Sequence, residues 1–369
     1  MFLRGLTLSD FRNYAELEIE PAPGLNVFIG DNAQGKSNLL EGIAMLGTGK
    51  SFRTSRDADA IRQGLTRAVL YGEAAMRAGG VDLTCTIERG GRGTHKTYTV
   101  NGSAVRYASY LGRIRVVPFV PIDLQLAGGP PGTRRVFLNG ALSQSEPGYY
   151  HELARYRKAL QQKNALLRGA VTPDAELLEV YDATLIDAGT RIIVSRRQFV
   201  AELAERAARA HARFAPAERL DVAYDPEIVS EESSAEAIEA AFALRLRGVA
   251  EAERLRKSAV AGPHRDDLAL SVNGIALGAY GSQGQQRTAV LALKIAEYHV
   301  MKERAGEAPL LLLDDVLSEL DEERGSAFLD EISGYEQAFV TATHAPSGLP
   351  AGVRLARVRD AVVYAGALC

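Results

Sequence analysis

The chain opens on alternation. From Met1 to Glu20 apolar and polar residues take turns, the period of a strand with one buried face, and strands are expected at Phe2–Leu8 and Glu16–Ile19. Leu25–Ile29 reads as a buried strand, and the apolar spacing over Asn38–Leu46 reads as a helix. Strands are expected again at Val69–Met76, Val81–Glu88 and Lys96–Val100. The last runs into Asn101-Gly102 and continues as Ser103–Arg106, and Asn-Gly between alternating runs supplies the left-handed residues of a tight hairpin. The same device recurs late, where Asn273-Gly274 joins Leu268–Val272 to Ile275–Leu277.

The middle is different. Pro118, Pro121, Gly128-Gly129 and Pro130-Pro131-Gly132 break the periodicity and mark a joint. Tyr149–Leu167 and Ala175–Phe214 then carry Ala, Leu, Arg and Glu at helical spacing, with Pro173-Asp174 between them. Leu177, Leu178, Tyr181, Leu185, Ile192 and Phe199 fall on one face of the second stretch. Forty helical residues extend roughly 60 Å, so an antiparallel helical arm is expected. A helix at Ala235–Lys257 leads back to the second hairpin, and another is expected at Thr288–Tyr298. Leu310–Leu313 is wholly apolar after Pro309, as suits a central parallel strand covered on both faces, and Phe339–His344 reads as a strand ending in a histidine.

Composition narrows the class. With 369 residues two domains are expected, and 46% hydrophobic and 24% charged residues are ordinary for a soluble globular protein. No apolar run approaches a membrane span and the start has no signal-peptide core, so a cytoplasmic protein with no membrane partner is expected. Cys85 and Cys369 have neither metal-ligand spacing nor a disulfide framework and read as reduced thiols. The net charge of −3 argues nothing for nucleic acid, but its distribution is uneven. Residues 1–200 hold 25 Lys and Arg against 19 Asp and Glu, and Lys50–Arg115 holds twelve against five. From charge alone a polyanion-binding face and scattered solvated charges both stay open.

Gly30-Asp31-Asn32-Ala33-Gln34-Gly35-Lys36-Ser37 fits G-x-x-x-x-G-K-[ST] and lies between the expected strand and helix. Glycines let backbone N–H groups wrap phosphates, Lys36 reaches the β/γ oxygens, Ser37 can ligate Mg²⁺, and the helix start adds positive potential. Asp314 and Asp315 end the apolar strand, where Asp314 suits the Mg²⁺ shell and Asp315 a general base for water. A strand end with an ordinary Asp cap is the structural alternative. Tyr280-Gly281-Ser282-Gln283-Gly284-Gln285-Gln286-Arg287 precedes a helix, and there Ser282 and the glycine amides make either a second anion site or a plain glycine-rich cap. Val316–Asp321 follows the acids directly.

In this order the pieces resemble the ABC-type ATPase head of the SMC-like group: phosphate loop, signature loop, acid strand, D-loop and switch histidine. The match narrows to the RecF family through Phe11-Arg12-Asn13-Tyr14, Gly24–Ile43, Ser51-Phe52-Arg53, Arg134–Leu138, Tyr156–Leu160, Gly262-Pro263-His264-Arg265-Asp266-Asp267 and Gly281–Arg287. The resemblance implies an α/β fold whose ATPase head, a mixed sheet with a P-loop, is formed by both chain ends (1–120 and 258–369), with a mainly helical arm inserted at 121–257. It implies ATP and Mg²⁺ at Gly30 to Asn38, with Arg12 and Asn13 near the base or ribose. It assigns the acid pair to Asp314 and Asp315, the signature to Ser282, Gln283, Gly284 and Gln285, the D-loop to Asp321 and the switch to His344. Catalysis then rests on Lys36, Asp315 and His344. It further implies DNA repair, replication and recombination at single-strand gaps and junctions with RecO and RecR, on behalf of RecA.

Two departures stand out. ABC-type ATPases usually carry Glu after the metal-binding Asp, whereas Asp315 is one methylene shorter, so slow hydrolysis is expected, and the resemblance implies that DNA stimulates it. No clear Q-loop glutamine is present; Val117–Gln125 is the region and Gln125 the candidate. Because the signature in this architecture faces another copy's phosphate loop, an ATP-sandwiched homodimer is expected. It would present a basic concave face from two copies of Lys50–Arg115, with Arg53, Arg56, Arg89, Arg92 and Lys96 as backbone contacts to DNA, independent of sequence. An ABC-transporter ATPase subunit would place its signature much nearer the phosphate loop. An interaction clamp with a vestigial site would not need Lys36, Asp314 and Asp315, and a P-loop kinase leaves the signature unexplained.

Overall fold

The computed structural model describes residues 1–91, 93–169, 174–346, 348–349 and 352–368. Arg92, Pro173 and Cys369, singled out in the sequence, lie outside the described residues. The chain divides into two compact units, one of residues 1–124 with 297–369 and one of 125–296.

The first unit holds two sheets. One is six-stranded and antiparallel, in the order Tyr14–Ile19, Phe2–Phe11, Arg67–Met76, Gly79–Gly90, Gly93–Val100, Ser103–Val105. The Asn101-Gly102 turn is as expected, both residues having positive φ. The other is a mixed six-stranded sheet in the order Val362–Leu368, Arg354–Arg359, Gly24–Ile29, Gln337–Ala342, Leu310–Asp314, Val116–Phe119, parallel except for its first pair. Leu310–Asp314 is buried along its whole length between two parallel neighbours, which is why it carries no alternation.

Helix Lys36–Thr48 contributes Leu39, Leu40, Ile43, Met45 and Leu46 to a single core shared with Leu6 and Leu8 of the antiparallel sheet and Leu310, Leu312 and Phe339 of the mixed sheet. A helix apolar all round is one covered all round. Two glycines set how closely it is covered. A Cβ on Gly42 would sit 2.8 Å from Leu8 Cδ1, and one on Gly47 would sit 2.8 Å from the Ile114 carbonyl. Gln337 stitches the sheets: its carbonyl oxygen accepts from Leu3 N at 2.7 Å, and its Nε2 donates to the Leu3 carbonyl at 3.0 Å.

The second unit contains helices Pro131–Ser145, Tyr149–Arg168, Ala175–Phe214 and Ala235–Arg256, and the strands Leu220–Asp225, Asp267–Val272 and Ile275–Ala276. Ion pairs Arg155–Asp187 and Lys163–Asp182 run in opposite chain directions, so the second and third helices are antiparallel as expected. Lys163 Nζ also lies 2.6 Å from Glu253, joining the fourth helix. Leu185, Ile192 and Phe199 of the expected stripe are fully buried, whereas Leu177 is 38% exposed. The stripe is fully buried only from Leu185 onward: Leu178 and Tyr181 are half-buried, and Leu178 lines an open cleft with Leu167, Leu246 and Ala250.

Several expectations change. Pro118 lies within a strand, tolerated because that strand is the sheet edge. Pro131 opens a helix at its first turn, where no N–H is needed. The strand expected to end on His344 stops at Ala342, and Leu277 starts a helical turn instead of ending a strand. The return expected at residue 258 comes later, inside helix Gln283–Ala305: residues 258–296 pack with the helical unit, because Asp267–Val272 pairs with Leu220–Asp225 just after the long helix.

Candidate nucleotide-binding site

Strand Gly24–Ile29 delivers its last residue to a loop whose backbone demands glycine. Gly30 and Gly35 have φ of 156° and 116°, and a Cβ on Gly30 would run into the Val358 carbonyl. The Tyr14 hydroxyl donates to the Gly35 carbonyl at 3.1 Å, and burial pushes that phenol up, keeping it protonated. Gln34 is tied to the Asp360-Ala361 turn, its side-chain oxygen accepting from Asp360 N at 2.7 Å and its carbonyl from Ala361 N at 3.0 Å. Lys36 is buried, and its Nζ donates to the carbonyls of Gly30 at 2.6 Å and Asp31 at 2.8 Å. An ammonium has three protons to give, so one remains.

A cleft of about 310 Å³ opens beside the loop, lined by Asn13, Asn32, Ala33, Gly35, Lys36, Ser37, Asn38, Arg53, Asp315 and Thr341. Parallel pairing places Thr341 beside Asp314. The Thr341 hydroxyl donates to Asp314 Oδ1 at 2.9 Å and accepts from Asp315 N at 3.0 Å. Asp315 has a φ of 54°, a conformation that costs a non-glycine residue energy. That turn sends its side chain to the cleft wall while Asp314 stays behind Thr341. Thr341 was missed in the sequence; its signal is the lone hydroxyl in a wholly buried strand.

Other expected residues divide. Asn13 lines the cleft, and its Oδ1 accepts from Asn38 Nδ2 at 2.7 Å. Arg12 does not line it: its guanidinium clasps the buried Glu41 through Nε at 2.9 Å and reaches the Asp59 carbonyl. Glu41, also missed in the sequence, accepts from the Ser51 hydroxyl too, and its signal is a lone acid in an apolar helix. Arg53, expected on DNA, lies in the cleft wall and donates to Asn38 Oδ1 at 2.5 Å. Lys96 is held by Asp57 at 2.6 Å and the Gly49 carbonyl at 2.8 Å. Arg56 and Arg89 are exposed, Arg89 within 3.5 Å of the Ala58 carbonyl, so the segment 50–60 gathers the basic residues. His344 is exposed and, with Asp321 and Asp315, lines a separate hollow of about 250 Å³. Asp321 accepts from Arg324 N at 2.9 Å and caps helix Glu322–Ser333.

In the second unit, Gln125 is exposed at the start of a helical turn. Ser282 and Gln285 form a reciprocal cap on helix Gln283–Ala305: Ser282 N donates to Gln285 Oε1 at 3.0 Å, and Gln285 N donates to Ser282 Oγ at 3.2 Å. Ser282 and Gln283 are exposed, and Gly284 is half-buried. The stretch Gly262–Asp267 is the hub of this unit. Asp266 is fully buried and accepts from Arg196 at 2.7 Å, from the Tyr224 hydroxyl and from Glu227 N. Arg134 forks over Asp267 at 2.6 and 2.7 Å and reaches the Gly129 carbonyl at 2.8 Å. His264 Nδ1 lies 2.6 Å from the Tyr156 hydroxyl, and burial pushes the imidazole down to about 4.

Among the described residues no helix is long and apolar enough to cross a membrane, and no cluster of three or more His, Cys, Asp or Glu could hold a metal. Cys85 is buried, and burial pushes its thiol up to about 12.

Residues 2–360 match the RecF/RecN/SMC N terminal domain family. The chain is 43% identical to the DNA replication and repair protein RecF of Symbiobacterium thermophilum over 98% of each chain, and 38% identical to that of Geobacillus thermodenitrificans over 99% of this chain and 97% of that one. A solved structure of the recombination mediator protein RecF with ATP, in the RecFOR pathway, superposes with a TM-score of 0.91 at 30% identity over 99% of this chain and 98% of that one. The Smc head domain of Pyrococcus furiosus, at 15% identity and a TM-score of 0.58, shares the fold. With a family model matched over residues 2–360, relatives at about 40% identity over nearly the full length and this ABC-type head, the chain belongs to the RecF family of SMC-like proteins.

Proposed function

We propose that this protein is an ATP-dependent DNA-binding protein of recombinational repair, in which two copies close around bound ATP on gapped or junction DNA and release it on slow hydrolysis. The observation that carries the reading is Lys36: a buried ammonium, in the wall of an open cleft, held among the described residues by two carbonyls of its own loop with a proton to spare. Phosphate oxygens are what such a group and the surrounding loop amides suit. The residues also fit Mg²⁺, since Ser37 Oγ and the second oxygen of Asp314 are hard donors, and phosphate and water would complete the shell. Bound there, the ion would neutralise charge on the phosphates.

The chain's own residues then have defined work. Lys36 turns from loop carbonyls to phosphate oxygens and stabilises the charge that develops there. Asp315 orients the attacking water and takes its proton, held by its left-handed backbone and by the Thr341 bond to its amide. Its short side chain supports slow turnover. Ser282 of one copy serves the cleft of the other, so ATP acts as interface glue and its loss loosens the dimer. Exposed Arg56 and Arg89 support backbone contact with DNA, whereas Arg53 is better placed for the nucleotide. The RecFOR pathway named for the ATP-bound RecF structure supports cooperation with RecO and RecR; action on behalf of RecA, in the cytoplasm, belongs to the same proposal.

The test is calorimetry with Mg-ATP. Lys36→Ala is expected to weaken binding at least ~100-fold, as loss of a buried charged hydrogen-bond donor should, while Asp315→Asn binds but does not release phosphate and accumulates as dimer in sedimentation. Binding by Lys36→Ala equal to the parent refutes the reading. Affinity for gapped DNA independent of both ATP and salt refutes its DNA part.

A further inference from the structure

The reciprocal cap at Ser282 needs one orientation of a side-chain amide, and a residue outside the cap holds it there. A glutamine amide has an accepting end and a donating end of nearly the same shape. Only one end serves the cap, because Ser282 N–H requires the carbonyl oxygen of Gln285. The other end of that amide finds a specific partner: Gln285 Nε2 donates to Glu218 Oε1 at 2.9 Å. An ionised carboxylate can only accept. It therefore selects the NH₂ end of Gln285 and turns the carbonyl end toward Ser282.

Glu218 lies outside every motif. It follows the 40-residue helix Ala175–Phe214, its own N–H donating to the Ala215 carbonyl at 3.0 Å. The next residue is clasped in both directions by the hairpin turn: Arg219 N donates to Asn273 Oδ1 at 2.9 Å, and Asn273 N donates to the Arg219 carbonyl at 2.9 Å. Strand Leu220–Asp225 then pairs with Asp267–Val272 from Leu220↔Val272 onward. The carboxylate is thus fixed by the end of the long helix and by a sheet register. On the opposite side, Gln286 Nε2 donates to the carbonyls of Leu277 at 3.1 Å and Gly281 at 3.3 Å, holding the approach to Ser282.

We propose that Glu218 is a positioning residue for the signature serine: it orients the Gln285 amide, which fixes Ser282 so that the hydroxyl accepts from Gln285 N and keeps its own proton to donate to the phosphate of ATP held by a second copy. The proposal rests on the dimer reading above. It gives the long helix a mechanical role, since the turn that follows its end carries the carboxylate that orients the cap.

The experiment compares Glu218→Lys, Gln285→Glu and the double variant Glu218→Gln with Gln285→Glu. Sedimentation is run at saturating Mg-ATP, with thermal unfolding in parallel. Lysine at 218 selects the wrong amide end, and glutamate at 285 sets two carboxylates against each other. Each single change is expected to weaken nucleotide-dependent dimerisation about tenfold or more, the scale of one hydrogen bond to a charged group. Mg-ATP binding by the Glu218→Lys monomer and its melting temperature stay at the parent's values. In the double variant the amide at position 218 can donate to the carboxylate at position 285, which still accepts from the Ser282 N–H. Dimerisation then returns to within about threefold of the parent, a recovery that loss of fold would not give. Parent-like dimerisation of Glu218→Lys, or no recovery in the double variant, overturns the proposal. Ser282→Arg is the control: if it dimerises like the parent, the dimer reading itself fails.

Discussion

The loop before Lys36 and the cap at Ser282 are both turns leading into helices, yet they are held by different means. The loop is set by backbone: glycine conformations at Gly30 and Gly35, the end of a buried parallel strand, and the Asp314↔Thr341 register next to it. The cap is set by side-chain amides, Gln285 and Gln286, and by Glu218. A backbone-built site takes its shape from eight consecutive residues, and its distant contacts, Tyr14 and the Asp360-Ala361 turn, meet it mainly at backbone carbonyls and one side-chain amide. A site built from side-chain amides depends on residues far away in the chain, and those residues are its weak points.

The same contrast extends to the two units, and the largest effect should come from the polar hub of the second. Asp266→Ala leaves Arg196 buried without its carboxylate and orphans Tyr224 and Glu227 N. It should cost about 3–5 kcal/mol of that unit's stability, measured by denaturant unfolding, with Mg-ATP binding at Lys36 retained in whatever protein stays folded. A small loss would mean that the hub is redundant.

Next come paired glycine substitutions. Gly262→Ala places a Cβ against Tyr156 and Phe242 at a φ of +126°, and Gly35→Ala places one 2.9 Å from the Tyr14 hydroxyl at +116°. Each should cost about 2–4 kcal/mol. Gly35→Ala should also abolish Mg-ATP binding in calorimetry, whereas Gly262→Ala should leave it unchanged. Equal effects on binding would erase the distinction between the two regions.

Thr341→Val tests the phosphate-loop site through the side chain that ties its two acids together. Losing the bonds to Asp314 and Asp315 N should slow phosphate release ~10–100-fold while changing Mg-ATP affinity less than about threefold. A matching fall in affinity would show that Thr341 serves binding and not the water-activating acid.

The smallest effect near neutral pH is a pH dependence confined to the second unit. His264 titrates near 6.5 when unfolded and about 4 when folded, because burial disfavours its charged form. Its contribution is fully present above about 6.5 and is lost as pH falls toward 4, by up to about 1.4 kcal/mol per pH unit. Unfolding between pH 7 and 5 should show that slope, and His264→Gln should flatten it. An unchanged slope would assign the dependence to other groups.

Much of the fold was legible because its signals are local. Alternation marked the strands of the antiparallel sheet, the all-apolar Leu310–Leu313 marked a strand covered on both faces, and helical spacing gave Ala175–Phe214 end to end. The strand Leu220–Asp225 was not seen, because it is short and finds its partner only in Asp267–Val272. Val116–Phe119 was hidden by Pro118, which only an edge position allows. At the site, the strand–loop–helix around Lys36 and the two acids at the end of the buried strand were readable as positions in the fold, while Glu41 and Thr341 were not. Nor could the sequence say that Arg12 would be spent on Glu41, or that Arg53 would reach the cleft and Lys96 be tied to Asp57.

By itself the sequence determined which backbone turns were possible, since glycine spacing, apolar runs and Asn-Gly pairs act within a few residues and need no partner. The tertiary structure alone decided which charged and amide side chains would be occupied and which would face a ligand. A hydrogen bond needs both of its groups within about 3 Å, and only the folded chain brings residues such as Glu218 and Gln285 that close.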